Sequence, residues 1–277
     1  MFSMAAKTSS KSGGFERFVP ILLVISIVLA FAVGVLWQKV SGLEKGTVKT
    51  QATAQAQAQK LPEVSLETIK GLFGKDTIKF GSADSKLILV EVSDASCPYC
   101  HIAGGKDPEL IRDLVAQNPQ MAQFKLVSDG GAYVPPVPEF KKLIDAGKAS
   151  FVYIYTPGHG NGEMGAKALY CAYDAGKFWE VHDLLMSDKG YNLLNNDVKN
   201  DKAKSGVLAD FLASAMDKTQ MKDCLDSGKF DANVTSDVAL ASSLGVTGTP
   251  GFFINSTNFA GAYSYTDMKP VVDAALK

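Results

Sequence analysis

Two cysteines separated by two residues, Cys97 and Cys100, are the side chains of this sequence best suited to chemistry. They end the segment Ser93-Asp94-Ala95-Ser96-Cys97-Pro98-Tyr99-Cys100, which follows the apolar run Leu87-Ile88-Leu89-Val90-Glu91-Val92 directly. A short run rich in β-branched residues reads as a buried strand. Pro98 suits the first turn of a helix, where its missing N–H would have no partner anyway. Strand, turn and helix then put Cys97 at the positive end of a helix, with Cys100 one turn further in. Free N–H groups and the helix dipole favour a thiolate there. Two thiols at this spacing close a small disulfide that reopens easily, so the pair suits redox exchange better than stapling a fold.

Other readings of the pair are weaker. Half a zinc site would need a second pair with metal-ligand spacing, and none follows. Cys97-Pro98-Tyr99-Cys100-His101 matches the haem-attachment pattern, with His101 as axial ligand. That reading has no use for the strand in front or for Thr249-Pro250, which precedes the apolar run Phe252-Phe253-Ile254. A proline at a strand's start is ordinary. Beside a Cys-x-x-Cys it reads instead as a cis peptide in a tight turn, exposing backbone groups of Thr249 to an added substrate strand. Glu91 is the third candidate. In an apolar strand it is either a salt-bridged carboxylate or a buried acid able to pass a proton to or from Cys100.

The elements that must position these groups follow from the rest of the sequence. With 277 residues, 46% of them hydrophobic, the chain is long enough for a sizeable core. A formal net charge of −1 argues against nucleic acid as a partner. Three histidines and four cysteines are too few for an array of metal clusters. Residues 1–18 form a basic tail. Residues 19–37 carry no charge and would span about 30 Å as a helix, the thickness of a bilayer core. A membrane anchor is the favoured reading; a signal peptide cleaved after Ala30-Phe31-Ala32 is the alternative. Residues 38–62, with Gln51-Ala52-Thr53-Ala54-Gln55-Ala56-Gln57-Ala58-Gln59, read as a flexible linker with a mean span of about 25 Å. The globular part is 63–277. Strands are expected at Ile78–Phe80, Leu87–Val92, Ala122–Val127, Phe151–Tyr155, Phe252–Asn255 and Phe259–Tyr263, the last two as a hairpin. One helix from Pro98 to about Gln117, interrupted at Ala103-Gly104-Gly105, and a short one near Glu139–Ala146 lie between them. A helical block occupies about 161–228, another helix Val234–Leu244, and a last one Thr266–Leu276. The result is an α/β mixed sheet flanked by helices. Cys171 and Cys224 fall on helices of the block; they are two inert buried thiols or, as favoured in an oxidising compartment, a structural disulfide. His182 lies on an apolar helix face and reads as core. His159 sits in a glycine loop without an evident partner.

The acid six residues before Cys97, Cys-Pro-x-Cys opening a helix, and Gly245-Val246-Thr247-Gly248-Thr249-Pro250 before a late strand resemble the thioredoxin superfamily. The helical block narrows this to the DsbA-like thiol:disulfide oxidoreductases. Gly176-Lys177-Phe178-Trp179-Glu180 and Val181-His182-Asp183 resemble the segment that opens that family's inserted helices. The resemblance covers about 75–277. It implies a thioredoxin fold with a helical insertion, Cys97 as exposed nucleophile, Cys100 as resolving cysteine, Thr249-Pro250 as the cis-proline loop and Glu91 as the buried acid. Exported cysteine-containing proteins would be the substrates and a membrane quinone-linked oxidase the redox partner, on the extracytoplasmic side of a cell membrane. The exchange needs neither metal nor cofactor. Pro98-Tyr99 departs from the Pro-His of the family's strongest oxidants and is glutaredoxin-like. The stretch 119–149 is longer than the family's usual link. The rival readings are a reductase or isomerase using the same site, a haem-c carrier, and a metal chaperone using both thiols as soft ligands.

Overall fold

The computed structural model describes residues 64–277. The expected tail, anchor and linker at 1–18, 19–37 and 38–62 lie outside the described residues. No described helix is long and apolar enough to cross a membrane.

In chain order, helix α1 (Leu66–Gly71) leads into strands β1 (Ile78–Phe80) and β2 (Ile88–Ser93). Helices α2 (Pro98–Gly104), α3 (Pro108–Gln117) and α4 (Pro136–Asp145) separate β2 from β3 (Ser150–Tyr155). A run of helices follows: α5 (Glu163–Asp174), α6 (Phe178–Leu185), α7 (Asp188–Asn192), α8 (Ser205–Phe211), α9 (Lys218–Ser227) and α10 (Asp231–Ser243). The hairpin β4 (Gly251–Ile254) and β5 (Thr257–Ala260) and helix α11 (Tyr265–Leu276) complete the order.

The sheet runs β1-β3-β2-β4-β5. β2 is parallel to β3, and the other pairs are antiparallel. Every residue of β2 and of β3 is buried, as strands covered on both faces must be. The two faces separate by parity. Ile88, Val90 and Val92 pack with Ile69, Leu72, Ala241 and Leu244. Leu87 and Leu89 face the larger core, which holds Cys97, Cys100 and the apolar sides of α5, α6, α8 and α9. Side chains alternate along a strand, so Glu91 and Ser93 point to the face that carries the cysteines. Asp237 of α10 accepts a hydrogen bond from the Tyr155 amide at 3.0 Å, tying that helix to the end of β3.

Three expectations need correction. The segment Ala122–Val127 is not a strand. Asn118 caps a 3-10 turn by accepting from the Gln120 amide, Pro119 opens that turn, and Met121 and Phe124, three apart, both reach the core. Only a single bridge, Leu126 to Tyr133, is extended. The helix expected over Pro98–Gln117 is two helices. Gly105 stops the first at φ 64°, and any Cβ there would meet Pro135 Cβ at 2.6 Å, so both backbone and packing require glycine. Asp107 then caps the second, accepting from the Leu110 amide at 3.0 Å. The hairpin's second strand is Thr257–Ala260 rather than Phe259–Tyr263, because Asn255 at φ 51° turns the chain immediately after β4.

Candidate active site

Cys97 is the N-cap of α2, with extended backbone, and Pro98 occupies the first helical position. The Cys97 carbonyl accepts from the amides of Cys100 at 3.0 Å and His101 at 3.2 Å. The side chain therefore stands where the helix N–H groups are unpaired. Thr249-Pro250, a cis peptide, comes up against it, and the Cys97 thiol donates to the Thr249 carbonyl at 3.6 Å. Residues 152 apart in sequence are thus in direct contact.

Two thiols one turn apart have opposite electrostatics. The Cys100 side chain is the strongest influence holding the Cys97 thiol down. The Thr249 hydroxyl, which has no other partner, and the amides of Cys100 and Tyr99 add to it. Burial opposes them, and the balance leaves Cys97 at about 6. Cys100 is fully buried, and burial together with the neighbouring Cys97 pushes its thiol well up. At neutral pH the pair is one thiolate and one thiol, both free.

Glu91 is 1% exposed, and neither carboxylate oxygen has a hydrogen-bond partner. Burial raises its pKa against the opposing influence of His182 and Ser93. It sits in register with Tyr153 on β3, whose buried hydroxyl is also unpartnered. His101 is fully buried; its Nε2–H donates to the Ala95 carbonyl at 2.8 Å, and burial drops its pKa to about 4. An imidazole committed in this way is not free to act as an axial ligand.

Cys97 is a buried residue, 4% exposed, rather than the exposed nucleophile the resemblance implies. The loop after β3 lies over it. A Cβ on Gly158 would come within 3.2 Å of Cys97 Cβ and collide with the Thr249 side chain, so only glycine allows the approach. That loop is fastened by two residues whose role the sequence did not reveal. One Asp94 oxygen accepts from the amides of Gly158 and His159, at 2.7 and 3.0 Å. The other accepts from the Ser96 amide and hydroxyl, both at 2.7 Å. The Ser96 hydroxyl in turn accepts from the Asn161 amide, and the Ser96 carbonyl accepts from the Asn195 side chain. The signal for a local turn was present, since Asp followed two residues on by Ser is the pattern of an Asx turn. Its second arm, 64 residues distant at Gly158, left no trace in the local sequence.

On the other side of Thr249 lies a groove of about 580 Å³ lined by Tyr99, Phe124, Tyr133, Thr249 and Tyr263, among others. The Tyr99 ring, 42% exposed, meets Phe124 edge-on, as does Tyr133. The segment 119–134 therefore supplies one wall of the groove next to the cysteines. Away from it, Cys171 on α5 and Cys224 on α9 are joined as a disulfide across 53 positions.

Residues 138–274 match a family model described as Thioredoxin. The Na(+)/H(+) antiporter NhaA 3 of Salinispora tropica is 24% identical over 199 residues, 70% of this chain and 24% of that protein. The chain thus spans about a quarter of the length of the curated relatives it matches. Among solved structures, oxidised BdbD from Bacillus subtilis superposes with a TM-score of 0.52 at 20% identity, covering 74% of this chain and 94% of BdbD. The thiol-disulfide exchange protein α-DsbA2 from Wolbachia pipientis gives 0.50 at 19%, covering 76% and 92%. The likeness is one of fold: residues 64–277 form a thioredoxin-like domain, a mixed sheet flanked by helices.

Proposed function

We propose that this protein is a DsbA-like thiol:disulfide oxidoreductase that oxidises cysteine pairs in exported proteins. In the oxidised enzyme Cys97 and Cys100 share a disulfide. A substrate thiolate attacks Cys97 Sγ; the Cys97–Cys100 bond breaks, and its electron pair leaves on Cys100, which takes a proton. The second substrate thiolate attacks the substrate sulfur of the mixed disulfide and releases Cys97 as a thiolate. The substrate is oxidised by two electrons, and the enzyme dithiol is reduced.

The observation that carries this reading is Cys97 itself: a sulfur at a helix N-terminus, held at about 6 and 3.6 Å from the Thr249 carbonyl. A thiolate of low pKa is the better leaving group, which drives the exchange toward reduced enzyme. Beside it, the Thr249 backbone can pair with an extended substrate. The aromatic groove has room for a side chain flanking the substrate cysteine.

Anchoring by residues 19–37, extracytoplasmic placement of 63–277 and re-oxidation by a membrane quinone-linked oxidase belong to the same proposal. Their support is the uncharged stretch 19–37 and a Cys171–Cys224 disulfide, a bond that persists in oxidising compartments. The test is the reduction potential of the Cys97–Cys100 pair against glutathione. A value near about −120 mV supports the oxidase, whereas one near about −270 mV makes the same site a reductase. Cys100→Ser should trap mixed disulfides between Cys97 and exported proteins in membrane extracts.

A further inference from the structure

We infer that His182 is a positioning residue for the Cys100 half of the exchange, passing a proton between the buried Glu91 and the surface pair formed by Asp183 and Lys106. The inference rests on the dithiol exchange proposed above and extends it to groups behind the cysteines.

A buried polar atom without a partner is costly, and this domain gathers several in one place. Both Glu91 oxygens, the Ser93 and Tyr153 hydroxyls and His182 Nε2 are buried without a hydrogen-bond partner. Ser93 lies near enough to Cys100 and to Glu91 to favour the ionised form of each. His182 lies near enough to Glu91 to oppose the effect of burial there. The histidine is 1% exposed, stacked on Phe178 and edge-on to Trp179 at 5.4 Å. Its other nitrogen, Nδ1, is 3.3 Å from Asp183 Oδ1. Asp183 is 34% exposed and pairs with Lys106, itself 36% exposed. Burial pushes the Asp183 carboxyl up, but His182 and Lys106 outweigh it and hold it below its ordinary value. One imidazole therefore has an unpartnered nitrogen toward the interior and a paired nitrogen toward solvent.

The charged and titratable groups around this path come from α2, β2, β3, α4, α6 and the α2–α3 turn. Cys100 and His101 face it from α2, Glu91 from β2, Tyr153 from β3 and Asp183 from α6; Lys106 reaches it from the α2–α3 turn. Lys141 of α4 lies over the outer face of Trp179, 5.5 Å from the ring centre.

The step balances as follows. With a mixed disulfide on Cys97, the Cys100 thiol gives its proton to the Glu91 carboxylate by way of Ser93. The Cys100 electron pair forms the bond to Cys97 Sγ. The bond from Cys97 to the outgoing sulfur breaks, and its pair leaves on that sulfur. Glu91 returns to carboxylate by giving the proton to His182 Nε2, and the Nδ1 proton passes to Asp183 and solvent. The transfer from Glu91 to His182 requires a side-chain rotation or one bridging water among these polar atoms.

The reduced full-length chain in detergent, mixed with 5,5′-dithiobis(2-nitrobenzoate), separates the two halves. The first nitrothiolate is released when Cys97 attacks, the second when Cys100 resolves the mixed disulfide. His182→Gln should slow the second phase about a hundredfold near neutral pH, the low end of a lost acid–base contribution, while the first phase stays within about twofold. The shape of the second phase's pH profile should change. Glu91→Gln should do the same, and the double variant should be no slower than either single one. Asp183→Asn, at a half-exposed position that tests the exit without disturbing the core, should slow only the second phase, and Asp183→Glu should restore it. A second phase unchanged in His182→Gln overturns the inference, as does equal slowing of both phases. Two wild-type phases in a protein that oxidises no reduced substrate would overturn the oxidase reading alone; the phase ratios of the variants would still decide the relay.

Discussion

At the scale of single residues, the site depends on an asymmetry between two chemically identical side chains. Cys97 is lowered to about 6 chiefly by the Cys100 side chain, and Cys100 is raised chiefly by burial. Thiolate absorbance of the reduced protein should therefore titrate with a midpoint near about 6, and Cys100→Ala, which removes the largest stabilising influence, should move the midpoint upward. A midpoint that stays put in Cys100→Ala would refute this assignment. Stability is linked in the same direction. Because folding lowers the Cys97 pKa from 9.0, this thiolate stabilises the reduced fold fully above about pH 9 and ceases to do so as pH falls through about 6. Denaturant unfolding of the reduced protein should show that slope, and Cys97→Ala should remove it. Much of this is readable from the sequence, because Cys-Pro-x-Cys after an apolar strand fixes helix, cap and dipole locally. The covering of Cys97 is not, because the residue that covers it, Gly158, reaches the site only through the fold.

At the scale of elements, the active-site turn and the loop after β3 are one unit joined by Asp94. Its carboxylate is fully buried and accepts four hydrogen bonds, two from Gly158 and His159 and two from Ser96. Asp94→Ala leaves those donors unpaired and should cost about 3 kcal/mol, measured by urea unfolding. Gly158→Ala acts from the other side of the contact. Its methyl group would drive into the Thr249 side chain and should cost about 1–3 kcal/mol while slowing Cys97 attack. Retained stability and unaltered attack in both variants would show that the loop does not rest on the site. The sheet strands were legible because period and β-branching announce them wherever a strand is buried on both faces. The Ala122–Val127 segment departs from the expected strand for a physical reason. The apolar residues Met121, Phe124 and Leu126 suit a strand by composition, and only the Asn118-Pro119 cap marks the tight helical turn that places Phe124 against Tyr99.

At the scale of the whole domain, helices α5 to α9 must be held on the sheet and also held together. The first task falls to α5, where a Cβ added at Gly165 would press on the Leu194 side chain at 3.2 Å and touch Ala95 Cβ of the active-site turn at 3.7 Å. The second falls in part to the disulfide between α5 and α9, which closes a loop across 53 positions. In the chain-entropy picture a loop of that size restricts the unfolded state by about 4 kcal/mol, an upper value because native strain and residual unfolded structure subtract from it. The groups that set the Cys97 pKa, by contrast, all lie in 97–100 and at Thr249. A Cys171→Ala/Cys224→Ala double variant should therefore lose about 2–4 kcal/mol of stability in urea while its Cys97 titration midpoint stays near about 6. A midpoint that rises together with the lost stability would mean that helices α5 to α9, and not the Cys97 turn alone, hold the thiolate.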